Sequence, residues 1–121
     1  MASIFIIQNK DVVRALFREI LERAGHVVDE AAEAMEGVRR IRESPSDLLI
    51  TDVHMPDSDG LEIIAMLRQE FPSAKILAVS AQTGKEEMLN VSKMLGADAV
   101  LQDAFDGEDL IRTVGKLLDA T

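Results

Sequence analysis

A carboxylate at the end of an apolar run is the residue of this sequence best placed to do chemistry. Asp52 follows the apolar residues 48–50 and precedes a turn-forming segment, residues 55–60, after which a helical pattern begins. In open parallel sheets, ligands bind in the crevice beyond the carboxyl ends of the strands. Asp52 is therefore the candidate functional centre, a reactive acid at the mouth of such a crevice.

Further polar residues follow other apolar runs that read as strands. The first run is followed by Gln8 and Asn9, the fourth by Ser80 and Ala81, and the fifth by Asp103 and Ala104. Because the carboxyl ends of parallel strands meet at one edge of a sheet, these residues are predicted to converge on Asp52. This cluster is where the sequence concentrates its chemistry.

The elements that would position this cluster alternate regularly along the chain. Strands are predicted at residues 3–7, 26–30, 47–51, 74–79 and 98–101, and helices at residues 12–24, 32–43, 61–70, 85–95 and 107–119. The connections are short enough to require right-handed crossovers. The prediction is one α/β domain over residues 1–121, doubly wound and flavodoxin-like, with a five-stranded parallel sheet in the order 2-1-3-4-5.

Local signals add detail to this outline. Asp11 is predicted to cap the first helix, and Gly25 and Gly96 to end the first and fourth helices. Met35 and Ile111 are among the residues predicted on the inner faces of the second and fifth helices. The two histidines, His26 and His54, are predicted to be solvated and too far apart to bind a metal together.

Composition limits the class of protein. The 121 residues are 47% hydrophobic and 29% charged, as in an ordinary globular domain, and they include no cysteine, tryptophan or tyrosine. The net charge of −9 argues against nucleic-acid binding, which needs a basic surface. The apolar start is too short for a signal peptide or a membrane span, so a cytoplasmic protein without a membrane contact is expected.

The sequence resembles the receiver domain of two-component response regulators over its whole length. The resemblance is strongest at residues 49–63, LITDVHMPDSDGLEI, and it extends to Val79-Ser-Ala81, Gly96-Ala-Asp98 and Phe105. It implies a signalling and interaction module of a phosphorelay rather than an enzyme. No output domain is expected within the 121 residues.

The resemblance implies a chemistry and a role for each site residue. Asp52 would be the phosphoacceptor, taking a phosphoryl group from the phosphohistidine of a kinase. A magnesium ion would be held by Asp52, by an acidic pair at positions 8 and 9, and by the backbone carbonyl of His54. Ser80, with Ala81 beside it, would contact the phosphoryl oxygens, and a lysine at position 103 would hold another oxygen.

This sequence departs from that pattern at the charged positions. Gln8 and Asn9 replace the acidic pair, although hard cations prefer anionic oxygen ligands. Asp103 replaces the lysine, and a unit charge pair ~4 Å apart contributes roughly 4 kcal/mol at an effective dielectric of 20. The reversed sign would penalise a phosphorylated Asp52 by more than the roughly 1 kcal/mol that a Ser80 hydrogen bond offers. With the acidic pair replaced by Gln8 and Asn9, magnesium binding is expected to be weakened.

Two further departures concern the fifth strand. Ala104 replaces the family's proline, and a non-proline cis peptide costs about 3–4 kcal/mol, so a trans bond and a reshaped loop are predicted there. Val100 replaces the aromatic residue that switches between inward and outward positions.

Several functions remain open on this basis. The domain could act without phosphorylation, through contacts of the fourth helix, fifth strand and fifth helix with another signalling protein. Asp52 could instead still accept a phosphoryl group from a histidine kinase or phosphotransfer protein, with weakened metal dependence. A cation bridging Asp52 and Asp103 with Asn9 as a neutral ligand, and a small phosphatase with an aspartyl nucleophile, are the remaining alternatives.

Overall fold

The structure, a computed structural model, describes residues 2–55, 58–80, 86–102 and 105–119. Within these residues the main sheet has five strands, Ser3–Ile7 (β1), Val27–Ala31 (β2), Leu48–Asp52 (β3), Lys75–Ser80 (β4) and Ala99–Gln102 (β5). The helices between and after them are Asp11–Arg23 (α1), Ala34–Glu43 (α2), Gly60–Glu70 (α3), Glu86–Leu95 (α4) and Gly107–Asp119 (α5). The predicted alternation is confirmed, with element ends displaced by at most two residues.

All strand pairs of the main sheet are parallel, and the strand order is β2-β1-β3-β4-β5. This is the predicted doubly wound, flavodoxin-like topology. The order reverses between β1 and β3, so the crevice in which such folds bind ligands opens at the carboxyl ends of these two strands. Asp52 is the last residue of β3, and Gln8 comes directly after β1.

The side chains of the central strands alternate between two cores. In β3, Leu48 and Ile50 pack on the side of α1 and α5, whereas Leu49 packs on the side of α2 and α3. Both faces of the strand are covered, which explains why its sequence is a continuous apolar run rather than an alternating one. Each fully buried side chain of this size contributes about 1.5–3 kcal/mol by leaving water.

Two glycines end helices as predicted. Gly25 and Gly96 have φ angles of 98° and 130°, in the left-handed region that favours glycine. At the first of them, the Gly25 N–H donates to the carbonyl of Glu22 and the His26 N–H donates to that of Leu21. The paired bonds satisfy carbonyls at the end of α1 that would otherwise lack partners.

Three sequence predictions about the helices are wrong. The residue before α1 is Lys10, no side chain caps this helix, and Asp11 lies inside its first turn, where it accepts a hydrogen bond from Arg14. Met35 is 52% exposed, because the small residues Ala34 and Gly37 form the inner face of α2. Ile111 is 44% exposed, since Leu110, Val114 and Leu117 already form the buried stripe of α5.

The strand β2 forms one of the two outer edges of the sheet, as the predicted strand order requires. Arg40 of α2 reaches this edge and donates to the Glu30 carbonyl oxygen and to the Asp29 carboxylate, both at 2.6 Å. His26, just before β2, is half-buried rather than solvated, and its Nδ1 has no hydrogen-bond partner among the described residues. The prediction for this histidine is therefore wrong.

Candidate functional site

Asp52 is buried at the carboxyl end of β3. It is 1% exposed, and its Cα lies opposite that of Val79 in β4. The pairing continues one residue further, because the Val53 N–H donates to the Val79 carbonyl at 3.0 Å. A carboxylate in such a place needs hydrogen-bond donors around it, since burial without them is costly.

Gln8 supplies one of these donors. Its Nε2 donates to Oδ2 of Asp52 at 2.8 Å, and the Gln8 side chain is itself fully buried. The Gln8 Oε1 accepts a hydrogen bond from the Lys10 N–H at 3.1 Å. These two contacts define the direction of the amide, because a reversed amide would turn its oxygen toward the carboxylate and its hydrogens toward another donor.

The backbone of Gln8 is held as firmly as its side chain. Its N–H donates to the Ala31 carbonyl at 3.1 Å, and its carbonyl accepts a hydrogen bond from Nη1 of Arg14 at 2.8 Å. The same guanidinium also donates to Asp11 at 2.7 Å and to Glu30 at 3.0 Å. These bonds, first that to Asp11, raise the pKa of Arg14 above its ordinary value, so the side chain stays charged.

Ser80 is the last residue of β4, the strand next to the one that carries Asp52. It is fully buried, one residue beyond the Val79 that pairs with Asp52, and its Cα lies opposite that of Gln102 at the end of β5. The structure thus brings Gln8, Asp52 and Ser80 to one edge of the sheet, as predicted. Ala81, Asp103 and Ala104 lie outside the described residues, and their predicted roles stay predictions.

The segment after β3 forms a small hairpin where a turn was predicted. His54–Met55 pair antiparallel with Ser58–Asp59, and His54 lies opposite Asp59. Gly60 then begins α3 directly against Val53, where an added Cβ would lie 2.6 Å from the Val53 carbonyl carbon. The role of the His54 carbonyl as a metal ligand stays a prediction.

The groups around Asp52 differ from the ligands that a magnesium ion requires. Magnesium binds oxygen ligands in octahedral geometry, preferably carboxylates and water. Gln8 turns amide hydrogens toward Asp52, and Asn9, half-exposed beside it, is neutral. Across the described part of the chain, no cluster of three or more aspartates, glutamates or histidines could hold a metal ion.

The sequence reasoning missed the contribution of Arg14. This residue lies one helical turn after Asp11, and the side chain of a helical residue points back toward the turn that precedes it. A long cationic side chain there reaches the carbonyl at the end of β1. The position of Arg14 one turn into the helix could have predicted its hydrogen bond to the Gln8 carbonyl.

Fold and site together define a class of protein. A family model described as "Response regulator receiver domain" matches residues 4–115, and the chain belongs to this family. Receiver domains are signalling domains of two-component systems; in general they bind Mg²⁺ and interact with histidine kinases or phosphotransfer proteins.

Individual relatives show how far the similarity extends. The chain is 27% identical to chemotaxis protein CheY of Halobacterium salinarum, and the match covers 98% of each protein. It is 29% identical to the DNA-binding transcriptional regulator NtrC of Azospirillum brasilense, of which it spans 24%. The structure of the response regulator TrrA of Thermotoga maritima in complex with Mg²⁺-BeF has a TM-score of 0.86 and 27% identity, and the match covers 97% of this chain and 99% of TrrA.

Among the helices described, none combines the length and the apolar character needed to cross a bilayer.

Proposed function

We propose that this chain is a receiver domain with an atypical site, which keeps Asp52 at the acceptor position and acts through protein–protein contacts without being phosphorylated. The observation that carries the proposal is the buried hydrogen bond from Gln8 to Asp52, 2.8 Å long, at a position where the family has an acid. The same proposal makes the domain a cytoplasmic signalling module rather than an enzyme.

Charge supports the absence of phosphorylation. A phosphoryl group brings negative charge, and its transfer depends on cations and hydrogen-bond donors that stabilise the transferring oxygens. Gln8 and Asn9 bring neither negative charge to attract a metal ion nor positive charge of their own. Asp103, at the lysine position, would repel the phosphoryl oxygens.

The surface of α4 supports an interaction role. Met94 is 85% exposed, and its neighbours Val91 and Leu95 are 40% and 38% exposed. Methionine adapts its shape to varied partners, so an exposed methionine between apolar neighbours suits a protein contact. We propose that this helix, with β5 and α5, forms the face that meets a histidine kinase, a phosphotransfer protein or another signalling protein.

The alternative is a domain that still accepts a phosphoryl group on Asp52. The similarity to TrrA favours it, because that relative was solved with Mg²⁺-BeF. The buried Ser80 at the end of β4 also retains the hydroxyl that the family uses to contact phosphoryl oxygens. A small phosphatase gains no such support, since position 54 is a histidine where an aspartyl-nucleophile enzyme needs a second acid.

Intact-mass measurement after incubation with a small phosphodonor and magnesium separates the two functions. We expect the wild type to show no phosphoryl adduct. A Gln8→Asp, Asn9→Asp, Asp103→Lys triple variant restores the family's charges and should form one, which the additional change Asp52→Asn should abolish. A stoichiometric adduct on the wild type that is absent from Asp52→Asn would overturn the proposal in favour of the phosphorylated alternative.

A further inference from the structure

The amide of Gln8 lies against the carboxylate of Asp52, and Gln8 occupies one of the two positions of the family's acidic pair. We propose that this amide replaces a metal ion in stabilising the carboxylate of Asp52. The stability of the site around Asp52 is therefore independent of magnesium. The inference rests on the proposed function only in treating Asp52 as the family's acceptor position.

The contact itself is a hydrogen bond between an amide and a carboxylate, both of them buried. Nε2 of Gln8 and Oδ2 of Asp52 are 2.8 Å apart, and the two residues are 0% and 1% exposed. A bond between a donor and an ionised acceptor is stronger than one between neutral groups, and burial strengthens it further. Gln8 therefore provides part of the stabilisation that a cation would provide to the same oxygen.

Two hydrogen bonds hold the amide against swinging away to admit an ion, and two more fix the backbone that carries it. The side chain is held at both ends, by Asp52 and by the Lys10 N–H, and the backbone is held by the Ala31 carbonyl and by Arg14. Moving Gln8 would break several of these bonds in a buried region. The amide is thus a fixed part of the site rather than one of several equivalent conformers.

An ion at Asp52 would need oxygen ligands where the structure has amide hydrogens. Magnesium binds oxygens at about 2.0–2.1 Å, and an amide nitrogen that carries two hydrogens cannot replace one of them. Turning the amide over would offer its oxygen to the ion. It would also place the NH₂ group of Gln8, which can only donate hydrogen bonds, against the Lys10 N–H, which is a donor as well. The neutral Asn9 adds no negative charge to offset this loss.

Melting temperatures with and without magnesium test the proposal. We compare the wild type with Gln8→Glu and Gln8→Asp, by circular dichroism, in magnesium chloride and in sodium chloride of the same ionic strength, which removes the effect of screening. Gln69→Glu is the matched control, because it adds the same charge at an exposed position of α3. Asp52→Asn in the wild type reports whether any magnesium effect comes from this site.

The wild type and Gln69→Glu should melt at the same temperature in the two salts. A Gln8 variant should melt about 5 °C higher in magnesium, or fold only in magnesium, because its carboxylate pair gains a bound cation. A saturable rise in the wild type that Asp52→Asn abolishes would overturn the proposal. So would Gln8 variants that show no difference between the salts, or that are unfolded in both.

The outcome is independent of that of the phosphodonor experiment. Phosphorylation of the wild type without a magnesium requirement would end the proposed function and leave this inference intact. Magnesium stabilisation of the wild type without any phosphoryl adduct would overturn this inference and leave the proposed function intact.

Discussion

At the scale of single residues, the environment of Asp52 is set by the neutral side chain of Gln8. A hydrogen bond to a charged group contributes about 1.5–3 kcal/mol to stability, whereas leaving a buried ion without partners costs several kcal/mol. The Gln8 amide therefore stabilises a buried Asp52 without adding a second charge. The presence of Gln8 also removes an anionic ligand that the family's chemistry uses.

Two glycines give a residue-scale prediction about the surroundings of the site. Gly60→Ala should lower the free energy of unfolding by about 1–3 kcal/mol, because its Cβ would collide with the backbone of Val53, one residue after Asp52. Gly115→Ala, where an added Cβ meets nothing within 4 Å, should instead raise it by roughly 0.5–1 kcal/mol through helix propensity. Denaturant unfolding of both variants measures the difference. Equal effects of the two changes would contradict the close approach at Gly60.

At the scale of elements, the start of α5 shows a reciprocal cap. The carboxylate of Asp106 accepts from the Asp109 N–H at 2.8 Å, and the carboxylate of Asp109 accepts from the Asp106 N–H at 3.1 Å. Two backbone donors that the helix cannot satisfy are thereby paired. The backbone bond from Asp106, together with Arg112, lowers the pKa of the Asp109 carboxyl.

This cap can be tested by removing one of its two acids. Asp106→Ala should lower the free energy of unfolding by about 1 kcal/mol, since helix caps contribute about 0.5–2 kcal/mol. Asp119→Ala removes the same charge at the other end of α5, where an acid faces the negative end of the helix dipole, and should be neutral or slightly stabilising. Thermal unfolding compares them. A loss of similar size in both variants would point to net charge rather than capping.

At the scale of the whole molecule, exposed ion pairs make stability depend on pH. Hydrogen bonds from Arg42 of α2 lower the pKa of the Glu70 carboxyl at the end of α3. A carboxyl with a lowered pKa in the folded state stabilises the fold above its unfolded pKa, about 4.3, and loses this effect as the pH falls through its folded pKa. Both groups are exposed, so added salt should weaken the effect.

The corresponding measurement compares Arg42→Met with the wild type by denaturant unfolding between neutral and acidic pH. The variant should be less stable at neutral pH, and the difference should shrink as the pH falls below about 4 because Glu70 becomes protonated in both proteins. The net charge is −9 in the wild type and −10 in the variant, so most of the self-repulsion that changes with pH is common to both proteins. A difference that stays constant across this range would mean that Arg42 acts by packing alone.

The sequence predicted the order of the elements well, because short continuous apolar runs such as residues 48–50, bounded by turn-forming residues, are typical of strands covered on both faces. The sequence also placed Gln8 and Asp52 at neighbouring strand ends, where the structure joins them by a hydrogen bond. It could not predict the direction of the Gln8 amide, which carries both donors and an acceptor and is oriented by Lys10 and Asp52. Nor could it predict that Met35 faces solvent, because the rotation of α2 depends on how Gly37 packs against Ile7.

The contact of Arg40 with the open edge of the sheet has a consequence for how copies of this chain meet. An outer strand whose carbonyl groups are bare can recruit a strand from another molecule and begin aggregation. On β2 the outward carbonyl of Glu30 is already taken by a guanidinium, which also neutralises the neighbouring Asp29. A bulky charged group therefore stands where a foreign strand would have to dock on β2, and this edge of the sheet is blunted against association.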